Sequence, residues 1–197
     1  MKMKKWLIAS FVLLVISGTT YAQKFQVGLK AGMNASNFTG GNIDSKTLLG
    51  FHAGTNFNFL LGNNFSISPE ILFSSQGAKY NELGTEKNLK VSYIQVPVLA
   101  KFRFNGGLYL EAGPQVGFKV GEDVDIPNQT IDNFAKNLDL GIGAGLGFHS
   151  RSGFGIGARY IAGLSKVGDF NASEMNPDFK NSVIQLSLFY TFFNNRR

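Results

Sequence analysis

Residues 137–149 read NLDLGIGAGLGFH and alternate strictly between two kinds of residue. Its even-numbered residues are all apolar, whereas the odd-numbered ones are Asn137, Asp139, four glycines and His149. A period of two is typical of a β-strand whose two faces lie in different environments. One face of this strand therefore meets apolar surroundings, and the other borders a space that favours the smallest residue.

The same alternation recurs along the chain, with no long apolar helix between the segments. It predicts strands at 25–36, 51–59, 65–74, 89–104, 108–119, 137–149, 154–163 and 183–192. Pro97 cannot donate to a strand ladder, so we expect a bulge or a broken ladder bond there. The predicted fold is an all-β, eight-stranded, antiparallel up-and-down barrel.

The connections between these strands alternate in length. Residues 62–64, 105–107 and 150–152 are rich in Gly, Asn and Ser, which suit tight hairpin turns. Longer polar segments lie around 37–48, 75–88, 120–136 and 165–181. Barrels of bacterial outer membranes have short periplasmic turns and longer extracellular loops, so the alternation predicts that topology here.

The first residues resemble a secretory signal. Met1–Lys5 carries three lysines, residues 6–16 are apolar, and Thr20-Tyr21-Ala22 is a small-x-small cleavage site. We predict a cleavable signal peptide at 1–22, with cleavage between Ala22 and Gln23, and a barrel domain at 23–197. A membrane anchor is the alternative, but the apolar run is short for a span.

Alternation alone does not say which face is inside, because a soluble lipocalin-like barrel has apolar residues in its interior. Here the polar face carries few charges for a water-facing surface and is rich in glycine, as a narrow lumen requires. A strand of ~11 residues at ~3.3 Å each and a tilt of ~40° also matches an apolar band. We therefore predict that the apolar face meets lipid.

Aromatic residues support the same orientation. Ten lie within a few residues of the short turns or the chain ends, and we expect them to form a girdle at one height: Phe25, Phe57, Phe59, Phe65, Phe102, Phe104, Phe148, Phe154, Tyr190 and Phe192. A sparser second ring lies nearer the longer segments: Phe51, Phe73, Phe118 and Tyr160.

Composition excludes several classes of function. The chain has a net charge of +6 at pH 7, but three of its lysines belong to residues 1–22, which leaves 16 basic against 13 acidic residues and a balance of +3. Because no basic cluster is mixed with stacking aromatics, a nucleic-acid partner is not expected. The absence of cysteine excludes disulfides and thiol chemistry.

Charged residues on the inward-facing positions are the best candidates for a defined site. They are Lys30, Glu70, Lys101, Arg103, Glu111, Lys119, Asp139 and Arg159. Buried charges must pair, so we predict that the three carboxylates pair with some of the five cations. The expected role is structural plugging of the lumen, and a narrow conduction or gating path is the alternative.

Signals for catalysis or cofactors are weak. His52 and His149 both have inward parity, where a histidine is more often a hydrogen-bonding partner than a general base, so no catalytic residue is predicted. No metal site and no cofactor is expected, since the acidic run Glu122–Asp125 is typical of a solvated loop. The glycines at 141–145 lack the spacing and the helix of a nucleotide-binding loop.

Five segments carry a resemblance to a known family: KFQVGLKAGMNASNF (24–38), SPEILFSSQGAKY (68–80), VSYIQVPVLAKFRF (91–104), YLEAGPQVGF (109–118) and IQLSLFYTF (184–192). Through them nearly all of 23–193 resembles the PorT-like outer-membrane β-barrel proteins, often called the porin family. The resemblance implies an outer-membrane barrel and an accessory role in protein secretion. It also implies that Tyr190, Phe192 or Phe193 forms the C-terminal signal for the barrel-insertion machinery.

The sequence thus predicts a non-enzymatic protein of the bacterial outer membrane that is surrounded by lipid. Its first predicted role is structural, or binding of envelope proteins through extracellular loops. The alternatives are an accessory of a secretion system, a narrow porin for small solutes and, last, a soluble ligand-binding barrel.

Overall fold

A computed structural model describes residues 24–40, 45–82, 85–124, 135–168 and 179–194. They form eight strands that close into one barrel, each paired antiparallel with its neighbours in sequence and the last with the first. The strands are β1 Lys24–Thr39, β2 Ser45–Leu60, β3 Phe65–Glu82, β4 Thr85–Arg103, β5 Leu108–Val124, β6 Leu138–His149, β7 Phe154–Gly163 and β8 Lys180–Asn194. The predicted fold class is therefore confirmed.

Three short connections at 61–64, 104–107 and 150–153 lie at one end of the barrel, here called the turn end, and the opposite end is called the loop end. Gly106, Gly107 and Gly153 have φ values of 103°, 100° and 96°. Residues with side chains rarely adopt this region, which explains why glycine occupies these turns.

The outer face of the barrel is apolar, as predicted. Large side chains from every strand point outward, and Leu29, Leu110, Leu146, Leu188 and Ile156 are all more than half exposed. The inner face holds the buried polar and charged residues. This is the arrangement of a membrane barrel, because only lipid stabilises a continuous outer surface of this kind.

Aromatic rings pack along the turn end on the outer surface. Phe25 stacks with Phe57 at a centroid distance of 6.2 Å, and Phe154 lies 4.6 Å from Tyr190. In the sparser second ring, Phe51 lies 5.7 Å from Phe73. Eight strand residues separate Phe51 from Phe59, which corresponds to ~20 Å of height at a tilt of ~40°.

The predicted loops are shorter than expected because the strands continue into them. The prediction of a loop at 75–88 is wrong: β3 and β4 remain paired out to Glu82 and Thr85. Strands likewise include residues 37–39, 45–48 and 120–124. Small and polar residues interrupt the alternation in these parts, yet the ladder hydrogen bonds are made by the backbone and do not need it.

Pro97 does not produce a bulge. The register between β4 and β5 is the same on both sides of Pro97, and the register shift between these strands lies between Ser92 and Tyr93. The regular pairing of β3 with β4 is interrupted opposite Pro97, between Pro69↔Val98 and Leu72↔Gln95. This agrees with the expected broken ladder bond.

Two predictions on the chain ends lie partly outside the described residues. The signal peptide at 1–22 and the cleavage site between Ala22 and Gln23 are outside them and stay predictions. Tyr190 and Phe192 lie on the outer face of β8, whereas for Phe193 only the backbone pairing with Val27 is described.

Candidate functional site

The glycines of β6 and β7 make room for large side chains in the lumen. A Cβ at Gly147 or Gly157 would lie 2.5 Å from the hydroxyl oxygen of Tyr109. A Cβ at Gly155 would overlap the ring of Phe189. The glycines of β6 and β7 therefore accommodate Tyr109 of β5 and Phe189 of β8.

Five of the eight predicted charges meet in the middle of the barrel and form what we call the lumen network: Lys30, Glu70, Lys101, Glu111 and Arg159. They come from five different strands and are each at most 5% exposed. Their summed charge is +1, since three cations face two carboxylates.

Arg159 is the centre of the lumen network. Its Nη1 and Nη2 donate to Glu70 Oε2 and Oε1 at 2.9 and 3.0 Å, and its Nε and Nη2 lie 2.8 and 2.7 Å from Glu111 Oε1. Lys30 Nζ lies 2.5 Å from Glu70 Oε1, and Lys101 Nζ lies 3.3 Å from Glu111 Oε2. The planar guanidinium holds two carboxylates at once, which an ammonium group does less well.

Two aromatic rings cover the lumen network on its turn-end side. Lys101 Nζ lies 4.5 Å from the ring centre of Tyr109 and 5.7 Å from that of Phe189. Lys30 Nζ lies 5.9 Å from the Phe189 ring centre. These cation–π contacts add to the ion pairs for the two lysines, and the rings fill space that water would otherwise occupy.

The other three predicted charges lie elsewhere. Arg103 donates through its guanidinium to His149 Nδ1 at the turn end. Lys119 Nζ lies 3.1 Å from Glu122 Oε2 and 2.6 Å from the carbonyl oxygen of Ala135. Among the hydrogen bonds of the described residues, Asp139 accepts from two neutral groups, Asn181 Nδ2 and Ser165 Oγ, both at 3.1 Å. A cation is thus not its partner here.

His52 lies between a serine and an asparagine inside the barrel. Its Nε2 is 2.8 Å from Ser187 Oγ and its Nδ1 is 2.7 Å from Asn34 Oδ1. Because Oδ1 only accepts, Nδ1 carries the proton and Nε2 accepts from the serine hydroxyl. Ser187, His52 and Asn34 therefore follow the order of a nucleophile, a general base and a residue that orients the base.

The Ser187–His52–Asn34 arrangement is nevertheless closed to substrate. Asn34 and His52 are at most 1% exposed, and Ser187 points inward at 9%. The Asn34 Nδ2 group also bonds Ser74 Oγ and the carbonyl oxygens of Phe51 and Ser75, at 2.9–3.0 Å. The group therefore ties β1, β2, β3 and β8 together.

An apolar cluster fills the loop-end part of the lumen. It consists of Phe38, Ala78, Leu89, Val91, Tyr93, Ala135, Val167 and Phe179, all at most 4% exposed. The ring centres of Phe38 and Phe179 are 4.6 Å apart. Ala135, Val167 and Phe179 come from outside the strands, so the connecting segments themselves close this end.

A cavity of about 650 Å³ opens at the turn end, which we call the turn-end cavity. It is surrounded by all three short turns, and Arg103, Arg151, His149, Gln26 and Asn63 are among its lining residues. The side chains of Tyr109 and Phe189, the lumen network and the apolar cluster separate the turn-end cavity from the loop end.

Acidic and histidine side chains do not gather into a metal site in the described residues, where groups of three or more such side chains are absent. The carboxylate of Glu122 accepts from Lys119 Nζ and from the backbone N–H of Ala135 at 3.1 Å. It is therefore part of the closure of the loop end.

These features define an integral β-barrel of the bacterial outer membrane. They are the closed antiparallel wall, the apolar outer surface with its two girdles of aromatic residues, and the filled interior. The family model described as "Outer membrane protein beta-barrel domain" matches residues 21–169. Since this match includes more than half of the chain, the protein belongs to that family.

Solved structures of other barrels share this fold. Neisserial surface protein A is 13% identical with a TM-score of 0.55 over 84% of this chain and 97% of that one. OprG of Pseudomonas aeruginosa is 13% identical, with a TM-score of 0.54 and coverages of 86% and 97%. Ail of Yersinia pestis is 20% identical, with a TM-score of 0.50 and coverages of 86% and 99%. No curated protein matches the sequence.

Several residues of this interior are not apparent from sequence patterns. Tyr109 and Phe189 lie on inward positions of otherwise regular strands, and their large aromatic side chains alone would favour the lipid face. The facing glycines are the signal that could have placed them inside. Ser187 carries no such signal, since its proximity to His52 depends on the closure of β8 against β1. Asn34 is brought near His52 by the pairing of β1 with β2.

Proposed function

We propose that this barrel is a plugged outer-membrane protein that acts by binding a partner protein at its loop end, without conducting solutes and without catalysis. The observation that supports this most is the filled lumen. The lumen network ties five strands across the middle, and the apolar cluster closes the loop end. The surfaces at the two ends then remain available for function.

The strands at the loop end extend past the second aromatic ring. On β3, nine residues separate Phe73 from Glu82, which corresponds to ~23 Å of additional height at a tilt of ~40°. On the other side of the barrel, β6 begins at Leu138 and β7 ends at Gly163. The wall of β1–β5 therefore stands above that of β6 and β7 and offers a surface of paired strands to a partner.

The charges at this end are mixed. The described residues among 39–50, 75–90, 119–139 and 164–181 include five acidic residues and eight lysines. Charges of both signs on one surface suit a protein partner.

Placement of single cysteines tests the proposal, because the chain contains no cysteine. Asp123→Cys lies at the loop end on an exposed position, and Gly62→Cys lies in an open turn at the other end. In intact cells, a membrane-impermeant maleimide should label Asp123→Cys and not Gly62→Cys. A photo-reactive maleimide at Asp123→Cys should then cross-link a discrete protein that Gly62→Cys does not.

Labelling of Gly62→Cys alone would reverse the orientation, and the absence of a specific cross-link at Asp123→Cys would contradict partner binding at the loop end. The accessory role in secretion is a finer proposal, supported by the five segments that resemble PorT-like proteins. It is tested by deleting the gene and measuring export of secreted proteins, and unchanged export would contradict it.

A further inference from the structure

Acidic residues are absent from the described part of the turn end. The described segments there, 24–29, 57–69, 102–110, 147–157 and 189–194, contain three basic residues, Lys24, Arg103 and Arg151, and no Asp or Glu. The turn end is therefore cationic over the residues that the structure describes.

Two of those basic residues line the turn-end cavity. Arg103 is half-buried with inward parity, and Arg151 is exposed in the β6–β7 turn. None of the described residues that line the cavity is acidic. A concave, cationic surface without carboxylates attracts anions, since the field of several like charges adds up in a cleft.

Arg103 is held in place by its neighbours. Its backbone N–H donates to Asn64 O, and Asn64 Nδ2 donates to the Arg103 carbonyl oxygen, both at 2.7 Å. Its guanidinium donates to His149 Nδ1, so His149 carries its proton on Nε2 and donates to Thr191 Oγ1 at 3.2 Å. The side chain is thus preorganised, which lowers the entropic cost of binding.

We propose that the turn-end cavity binds an acidic peptide segment of a soluble partner, with Arg103 and Arg151 as the groups that recognise its carboxylates. In outer-membrane barrels this side faces the periplasm. A volume of about 650 Å³ accommodates a short stretch of chain rather than a single ion. The proposal is independent of the proposed function at the loop end.

The inward direction of Arg103 favours a peptide over a phospholipid headgroup. Phe65, Phe104 and Phe148 point outward at the level of the headgroups and also line the cavity, so its rim reaches the membrane boundary. Arg103 instead points towards the barrel axis, where a group from the aqueous side enters between the three turns. Guanidinium groups bind carboxylates in a bidentate manner, which suits Asp and Glu side chains.

The test uses residues 23–197 refolded in nanodiscs of phosphatidylcholine and a fluorescein-labelled hexaglutamate peptide, measured by fluorescence anisotropy. We expect binding that weakens at high salt and that hexaglutamine does not reproduce. Arg151→Glu should weaken binding about tenfold, because a charge-assisted contact becomes repulsive. Lys180→Glu, at the exposed loop end, is the matched control and should leave the affinity unchanged.

Arg151 lies in an exposed turn, so its variant is expected to fold, and Arg103→Gln provides a second variant with the same expected direction. No binding of hexaglutamate, or equal weakening by Arg151→Glu and Lys180→Glu, would overturn the proposal. Nanodiscs of phosphatidylglycerol are the last arm. An unchanged affinity for hexaglutamate there supports a peptide site. If hexaglutamate binding is lost there, as it is in Arg151→Glu, the cavity binds lipid headgroups and the proposal is overturned.

Discussion

Arg159 on β7 and Glu70 on β3 form a bidentate ion pair across the barrel, with Nη1–Oε2 and Nη2–Oε1 distances of 2.9 and 3.0 Å. The two strands are four apart in a closed barrel of eight, so they stand on opposite walls. The pair therefore spans the lumen, and its removal from water is compensated by the second carboxylate, Glu111.

Loss of the Glu70 charge should destabilise the fold strongly. Glu70→Gln keeps the shape but leaves Lys30 and Arg159 without their shared carboxylate, so we expect a loss of about 3 kcal/mol in the free energy of unfolding. Urea unfolding in lipid should be followed by circular dichroism, because the only Trp lies within residues 1–22. Adding Lys30→Met should recover part of the loss.

The control for this experiment is Asp123→Asn, which removes an exposed carboxylate at the loop end and should change stability by only tenths of a kcal/mol. If Glu70→Gln were as stable as this control, the lumen network would not hold the strands together.

Gly157 provides space for Tyr109, and Gly157→Ala should show this. The new Cβ would lie 2.5 Å from the Tyr109 hydroxyl oxygen, with every other neighbour 3.6 Å or further away. We expect destabilisation of about 1–3 kcal/mol from overpacking. In a Tyr109→Phe background the same substitution should cost far less, so a double-mutant cycle measures the contact.

Gly62→Ala is the matched control, because a Cβ at Gly62 meets no atom within 4 Å. Equal effects of Gly157→Ala in the presence and absence of the Tyr109 hydroxyl would show that some other property of glycine matters at this position.

The outward position of Leu188 predicts a depth-dependent cost for charge. Leu188 lies four residues from both Ile184 and Phe192 and is 66% exposed on the lipid face. Leu188→Arg, near the middle of the bilayer, should lower the free energy of unfolding by about 2–4 kcal/mol. Leu49→Arg, equally exposed but beyond Phe51 towards the loop end, should cost about 0–1 kcal/mol.

Both arginine variants are compared by urea unfolding in the same lipid, and heat-modifiable migration in gels verifies that they fold. Similar costs at the two positions would contradict the placement of the aromatic rings at the membrane boundaries.

The enclosed Ser187–His52–Asn34 arrangement should be catalytically silent. We expect no labelling of the folded protein by a fluorophosphonate probe and no hydrolysis of a p-nitrophenyl ester above buffer, because Ser187 faces a filled lumen. Ser187→Ala is the control. Labelling that disappears in Ser187→Ala would show that substrate does reach the serine.

The sequence predicts the strands of this barrel better than the side-chain contacts inside its lumen. Alternation of period two identifies all eight strands and both faces, since the environment of each face favours apolar or polar residues at each position along the strand. The prediction of a loop at 75–88 is wrong, because the backbone pairing of β3 with β4 continues there without apolar alternation.

Pairs inside the lumen depend on the shear of the barrel, which no local pattern encodes. Lys101 and Glu111 are an exception, because a tight turn places them opposite each other. Arg159 and Glu70 are 89 residues apart and meet only when the barrel closes. For the same reason, the hydrogen bonds of Asp139 to Asn181 and Ser165 could not be predicted.

The most direct test of the plugged lumen is the single-channel conductance of residues 23–197 in planar bilayers, with gel migration confirming a folded monomer. We predict a flat baseline for the wild-type protein, because the Arg159–Glu70 pair and the apolar cluster close the path. Steady, reproducible conductance steps from the folded monomer would contradict this account.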